Sequence, residues 1–248
     1  MTELINRFEP ISLEQMSGVK LMNRTDTKFV TTTERLRLLL EMAQQDYYIQ
    51  EIDGQRNLEY DTTYFDTMTF DMYNQHRWNH TNRQKIRFRT YCISGIQFME
   101  VKTKNNHGRT KKKRIEVSDM DVMETGKHEF LDKHLRYAAD TLQPALNNHF
   151  ARITLVNRAK TERLTIDSSL CFNNLVSGEK KEMGDLVIIE LKRDGLVYSP
   201  VLEMLRQLRI LPHGFSKYCM GSALTNHELL VSRFKEKLHY VEKLTNKR

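Results

Sequence analysis

Cysteine and proline are scarce in this chain, and each scarcity argues against a class of protein. The three cysteines, Cys92, Cys171 and Cys219, lie far apart with no C-x-x-C among them, which speaks against a disulfide framework and against a cysteine-built zinc site. Four prolines and ten glycines form no Pro/Gly-rich linker. No internal repeat or low-complexity tract divides the chain either, so residues 1–248 read as one domain. Long apolar runs are also missing: a stretch such as Leu186 to Ile189 falls far short of a membrane span. The opening MTELINRFEP lacks the basic-then-apolar order of a secretory signal, and the expectation is a cytoplasmic protein. Gly108-Arg109-Thr110-Lys111 follows no G-x-x-x-x-G pattern, so a P-loop is absent. His128-Glu129 precedes His134 at the wrong spacing for a zinc helix, and His76 and His80 read as ordinary exposed histidines.

Acid is the next thing lacking, and only locally. The whole chain carries 39 basic and 32 acidic residues, a net charge of +7. Between positions 83 and 114, however, Arg83, Lys85, Arg87, Arg89, Lys102, Lys104, Arg109, Lys111, Lys112, Lys113 and Arg114 face a single acid, Glu100. A field of that sign draws polyanions, whether nucleic acid, lipid headgroups or nucleotide phosphates.

What is present is a period-two pattern of unusual composition. In KIRFRTY, Lys85, Arg87 and Arg89 share one strand face and Ile86 and Phe88 the other. FMEVKTK places Glu100, Lys102 and Lys104 opposite Met99 and Val101. VIIELK places Glu190 and Lys192 opposite Val187, Ile189 and Leu191, and RLTID places Arg163, Thr165 and Asp167 opposite Leu164 and Ile166. RTDTKFV reads as a further strand. One such face is normally a solvated sheet surface. Four that are dominated by Arg and Lys fit a curled sheet whose ionic faces line a lumen and whose apolar faces meet outer helices. Ser12 with Gln15, and Thr31 with Glu34, read as capping boxes that open helices. The stretch from Asp119 to Leu142 reads as a helix closed by Pro144, Ser199-Pro200 opens a short helix, and roughly the last thirty residues read as amphipathic helix.

In order along the chain, RTDTKF, YDTTYFDT, RQKIRFRTY, FMEVKTK, KKKRIEV, RITLVNRAKTERLTID, VIIELK and GFSKY together resemble a VTC domain of the triphosphate tunnel metalloenzyme superfamily. The resemblance implies an α+β fold, an antiparallel eight-stranded β-barrel tunnel with helices packed outside. It also implies an ATP-dependent polyphosphate polymerase with a divalent ion, Mn2+ or Mg2+, at the tunnel mouth. Carried over by motif, the phosphate-binding residues are Lys28, Arg87, Arg89, Lys102, Arg158, Arg163 and Lys217, with Arg77, Lys112, Arg114 and Lys192 as further lining residues. Glu190 is the implied metal ligand, assisted by Glu100 or Asp167. The wider superfamily's E-x-E-x-K start stands here as Arg24-Thr-Asp26-Thr-Lys28, a departure that VTC-type members share. The implied partners are ATP and polyphosphate, with any membrane partner on another polypeptide.

The chemistry suits these residues. Phosphoryl transfer needs alignment and charge neutralisation more than covalent help, and arginine forks and lysine point charges supply both. With water as acceptor, the same tunnel is a triphosphatase or polyphosphatase; without catalysis it is a polyphosphate sensor. Nucleic-acid binding on an open basic sheet would interleave aromatic platforms with the cations, and Phe88 alternates to the opposite face.

Overall fold

A computed structural model describes residues 1–16, 24–107, 109–195 and 197–245, with Arg24 described in its backbone alone. The expected acidic-position arginine, Arg24, therefore has its side chain outside the described residues, and Gly108 lies wholly outside them.

Among the described residues eleven strands form one sheet: β1 (Glu9–Ile11), β2 (Arg24–Thr32), β3 (Tyr47–Gln50), β4 (Leu58–Thr67), β5 (Arg83–Tyr91), β6 (Gln97–Lys104), β7 (Thr110–Val117), β8 (Leu142–Asn157), β9 (Glu162–Asn174), β10 (Lys180–Glu182) and β11 (Leu186–Asp194). Eight of them run β2-β11-β9-β8-β4-β5-β6-β7 as the main path, and every neighbour pair along it is antiparallel. The helices are α1 (Thr2–Ile5), α2 (Leu13–Met16), α3 (Thr33–Ala43), α4 (Asp71–Arg77), α5 (Thr125–His134), α6 (Pro200–Gln207), α7 (Lys217–Thr225) and α8 (Lys235–Thr245).

Alternation assigns the two sheet faces, and the cores confirm it. Phe29, Ile153, Leu155, Leu164, Ile166, Val187, Ile189 and Leu191 pack under α1, α3 and α6. Ile86, Phe88, Met99 and Val101 pack under Leu131 of α5. The opposite face is concave. β5 and β2 are five strand spacings apart, about 24 Å on a flat sheet. Yet Lys85 Nζ on β5 donates to Ser216 Oγ at 2.8 Å, and Lys28 Nζ on β2 donates to the carbonyl of neighbouring Phe215 at 3.1 Å. Only a curled sheet brings both lysines onto adjacent residues. Among the described residues β2 and β7 do not pair, so the tunnel is curled rather than closed by a hydrogen-bonded seam.

Inside the curl, α7 and α8 fill part of the lumen with apolar side chains: Tyr218, Cys219, Met220, Ala223 and Val241 pack on Val30, Tyr64, Leu146, Phe150, Phe172 and Ile188. Gly221 permits this approach, because a Cβ there would lie 2.6 Å from Leu146 Cδ2 and 2.6 Å from Phe172 Cδ1.

Three local expectations differ from the structure. Ser12 and Gln15 do form a capping box, with Ser12 N to Gln15 Oε1 at 2.9 Å and Gln15 N to Ser12 Oγ at 3.3 Å. Thr31 does not cap: it lies buried in β2, and α3 begins after Thr32. The expected helix over Asp119 to Leu142 shortens to α5. Pro144 then sits within β8, opposite Phe65 and beside a register shift at Tyr64/Phe65, where a missing N–H is tolerated. His76 is not solvent-exposed; it is partly buried near the Phe234 ring, and burial followed by Lys85 and Arg83 keeps it neutral.

Candidate functional site

The site is built on the segment Phe215-Ser216-Lys217, which the curled sheet wraps. Ser216 is the N-cap of α7, its hydroxyl accepting from Cys219 N at 3.3 Å, and this aims Lys217 into the lumen. Lys217 Nζ bonds Asp167 of β9 and lies 3.7 Å from the centroid of Phe150. Asp167 also accepts two bonds from Arg152 of β8, Nε to Oδ1 at 2.5 Å and Nη2 to Oδ2 at 2.8 Å. Register makes that pair: Arg152 stands directly opposite Asp167.

A second knot lies on β5, β6 and β7. Glu100 is fully buried, and its oxygens take Arg87 Nε at 2.6 Å and Lys112 Nζ at 2.8 Å. One step along, Lys85, Lys102 and Lys112 stand directly opposite one another across the three strands. Like charges in that position repel. Lys102 also faces Arg87 and Arg89, which together with burial push it well below the ordinary lysine range. Arg89 donates to Thr62 Oγ1 at 3.2 Å, and its guanidinium lies over Tyr60 and Phe150. Burial pushes Lys217 down to about 7, with Arg152 acting in the same direction against Asp167.

The third group lies on β2 and β11. Glu190 pairs in register with Lys28 and sits 2.9 Å from Lys192 Nζ and 3.9 Å from Lys28 Nζ. Asp26 stands opposite Lys192, diagonal to Glu190, and Arg163 stands opposite Lys192 on the other side. Burial alone would raise Glu190, but Lys192 and Lys28 hold it well below the usual carboxylate range.

The structure thus brings Lys28, Arg87, Arg89, Lys102, Lys112, Arg163, Lys192 and Lys217 onto one concave face. Arg114 shares that face on exposed β7, its guanidinium 4.3 Å from the Phe98 centroid. Two residues do not converge. Arg158 lies beyond the end of β8, with Glu9 as ion-pair partner and Tyr48 beneath it at 4.1 Å, so the alternation that would have carried it inward has already ended. Arg77 is buried on α4, and its contacts are local, to Asn74 at 3.4 Å and over Trp78 at 5.2 Å. Arg152, absent from the expected set, occupies the lumen position instead. The signal was there: Arg152 and Thr154 alternate with Ile153 and Leu155.

A divalent cation needs oxygen donors. Glu100 and Asp167 have their oxygens engaged by Arg and Lys and are almost fully buried. Glu190 remains ionised and 23% exposed, with Asp26 nearby. Among the described residues no group of three or more His, Cys, Asp or Glu converges. One or two carboxylates suit a hard cation that completes its shell with phosphate and water oxygens, so Glu190 with Asp26 fits.

Comparison with known proteins follows this geometry. The VTC domain matches residues 23–226. No curated protein matches the sequence. A candidate adenylate cyclase from Bacillus halodurans superposes with a TM-score of 0.52 at 14% identity, covering 79% of this chain and 96% of that one. A Hippeastrum protein described as a candidate adenylyl cyclase with a dominant triphosphatase activity does so with a TM-score of 0.50 at 14% identity, covering 84% and 98%. At these identities the likeness speaks for the fold. With the family match spanning most of the residues and both solved structures alike in fold, the chain belongs to the VTC domain family and has the triphosphate tunnel fold.

Proposed function

We infer that this chain is a metal-dependent phosphoryl-transfer enzyme that lengthens polyphosphate with the γ-phosphate of ATP, residues 1–248 acting as one domain. The observation that carries the reading is the surplus of desolvated cations around Lys102. Lys85 and Lys102 form no ion pair among the described residues, and Lys102 is pushed well below its ordinary range, so the lumen is short of negative charge. A chain of phosphates supplies that charge.

Each residue then has a task. Arg87, Arg89 and Arg152 hold non-bridging oxygens in fixed orientation, while Lys102, Lys112 and Lys217 neutralise charge that grows as the phosphoryl group moves. The growing chain's terminal phosphate is ionised near neutral pH, so no protein base is needed to activate it. Glu190, with Asp26, would hold Mn2+ or Mg2+, which would offset negative charge on the phosphates when bound. The cations of the concave face align donor and acceptor.

Hydrolysis is the one competing reaction supported by a specific observation, the triphosphatase activity of the Hippeastrum protein of like fold. One assay separates the readings. Purified protein with ATP and manganese is expected to give a ladder on a gel stained for polyphosphate, with little free phosphate. Free phosphate alone would make it a hydrolase, and no turnover with any nucleotide and metal would make it an anion sensor. Glu190→Gln should lower metal-dependent turnover a hundredfold or more, equivalent to about 2.7 kcal/mol of transition-state stabilisation. Metal-free anion affinity should hold or improve in that variant.

A further inference from the structure

Two carboxylates are placed where a phosphate chain would be expected to lie. Glu100 sits between Arg87 Nε at 2.6 Å and Lys112 Nζ at 2.8 Å. Asp167 takes both arms of Arg152, at 2.5 and 2.8 Å, together with Lys217. A carboxylate offers these forks the same pair of acceptors as two phosphate oxygens. Both acids are almost wholly buried, and neither has a spare oxygen for a metal. Burial alone would raise them, yet Arg87 and Arg152 with their neighbours hold both well below the usual range, so they stay charged.

We propose that Glu100 and Asp167 are resident counter-ions, which satisfy the lumen cations when no phosphate chain is bound and weaken the grip on that chain when it is. The inference rests on the anion-binding part of the proposed function. Linked contacts along one polymer multiply in strength, so a lumen of unopposed cations would trap its product. A chain that must advance needs sites strong enough to enter and weak enough to leave. Lys85 and Lys102, which form no ion pair among the described residues, make the first contact. Arg87, Lys112, Arg152 and Lys217 then share their donors between carboxylate and phosphate. The competing role for these acids is to orient the guanidinium groups for phosphate, and it predicts the opposite sign on mutation.

Titration calorimetry with tripolyphosphate, without metal or nucleotide, decides between them. In Glu100→Gln and in Asp167→Asn the dissociation constant should fall about tenfold or more, equivalent to about 1.4 kcal/mol. The melting temperature of each unliganded variant should fall as well. Asp167→Glu, which keeps the charge, should stay within about threefold of wild type. A dissociation constant that is unchanged or raised in the Gln and Asn variants overturns the proposal. Structural damage alone would not tighten binding. Should those variants fail to fold, the Nε–H resonances of Arg87 and Arg152 in 15N-labelled wild type must shift in step with tripolyphosphate saturation, and unmoved resonances overturn it equally. If wild type binds no tripolyphosphate, both this inference and the proposed function fail; if it binds without tightening in the variants, this inference alone fails.

Discussion

Lys102 stands directly opposite Lys85 across two adjacent strands, both on the concave face. Two like charges in that register destabilise the unliganded sheet, and a polyanion relieves them. Tripolyphosphate at a hundredfold excess over its dissociation constant should therefore add about 2.7 kcal/mol of stability. For a chain of this size that is a rise of about 5–10 °C in melting temperature. Differential scanning fluorimetry checks it, and an unmoved transition in saturating ligand would count against an anion-binding lumen.

Lys217 makes anion binding depend on pH near neutrality. Burial lowers it to about 7, so above that value it loses the proton a phosphate needs. Tripolyphosphate affinity should fall as pH rises from 7 to 9, by up to about tenfold per unit. The unliganded protein responds with the opposite sign. An unfolded lysine keeps its proton to about pH 10.4, so between roughly 7 and 10 the unfolded chain holds more protons and stability rises with pH. Lys217→Arg, which stays charged throughout, should flatten both profiles.

Arg152 and Arg158 share the same parity in sequence, and only Arg152 reaches the lumen. Arg152→Ala should weaken tripolyphosphate binding about 10- to 100-fold, the loss expected for a charge-assisted contact. Arg158→Ala should stay within about twofold of wild type. Equal effects in the two variants would mean that the phosphate path runs outside the curled sheet.

These arginines also show how far the sequence could be read. Alternation in β5, β6, β9 and β11 assigned their ionic faces correctly, because a strand's side-chain period is fixed by its backbone. It could not reveal where a strand ends. β8 stops at Asn157, and a turn with Lys160 at φ 54° follows, so Arg158 leaves the pattern. Nor could it reveal pairing. That Glu100 is consumed by Arg87 and Lys112, or Asp167 by Arg152, depends on register between distant strands. Helix length over 119–142 was overread because the spacing there matched a helix, whereas tertiary pairing with β4 draws Leu142 onward into β8. Thr31 was misread as a cap because β2 continues one residue into the helix signal.

Gly221 tests whether the seating of α7 controls Lys217. An alanine Cβ would meet Leu146 and Phe172 at 2.6 Å, and overpacking of this kind costs about 1–3 kcal/mol. Gly221→Ala should lower the melting temperature by about 2–10 °C. Tripolyphosphate affinity should fall with it, since the helix carries both Ser216 and Lys217. Unchanged stability would show that the helix has room to shift.

The central claim, that the concave cations take a phosphate chain, is met most directly by a crystal structure with tripolyphosphate bound. Its oxygens should lie within hydrogen-bond distance of Arg89, Lys102 and Lys217 inside the curled sheet. An anion found instead on the outer hairpin at Arg109 and Lys111, with the lumen side chains unmoved, would contradict it.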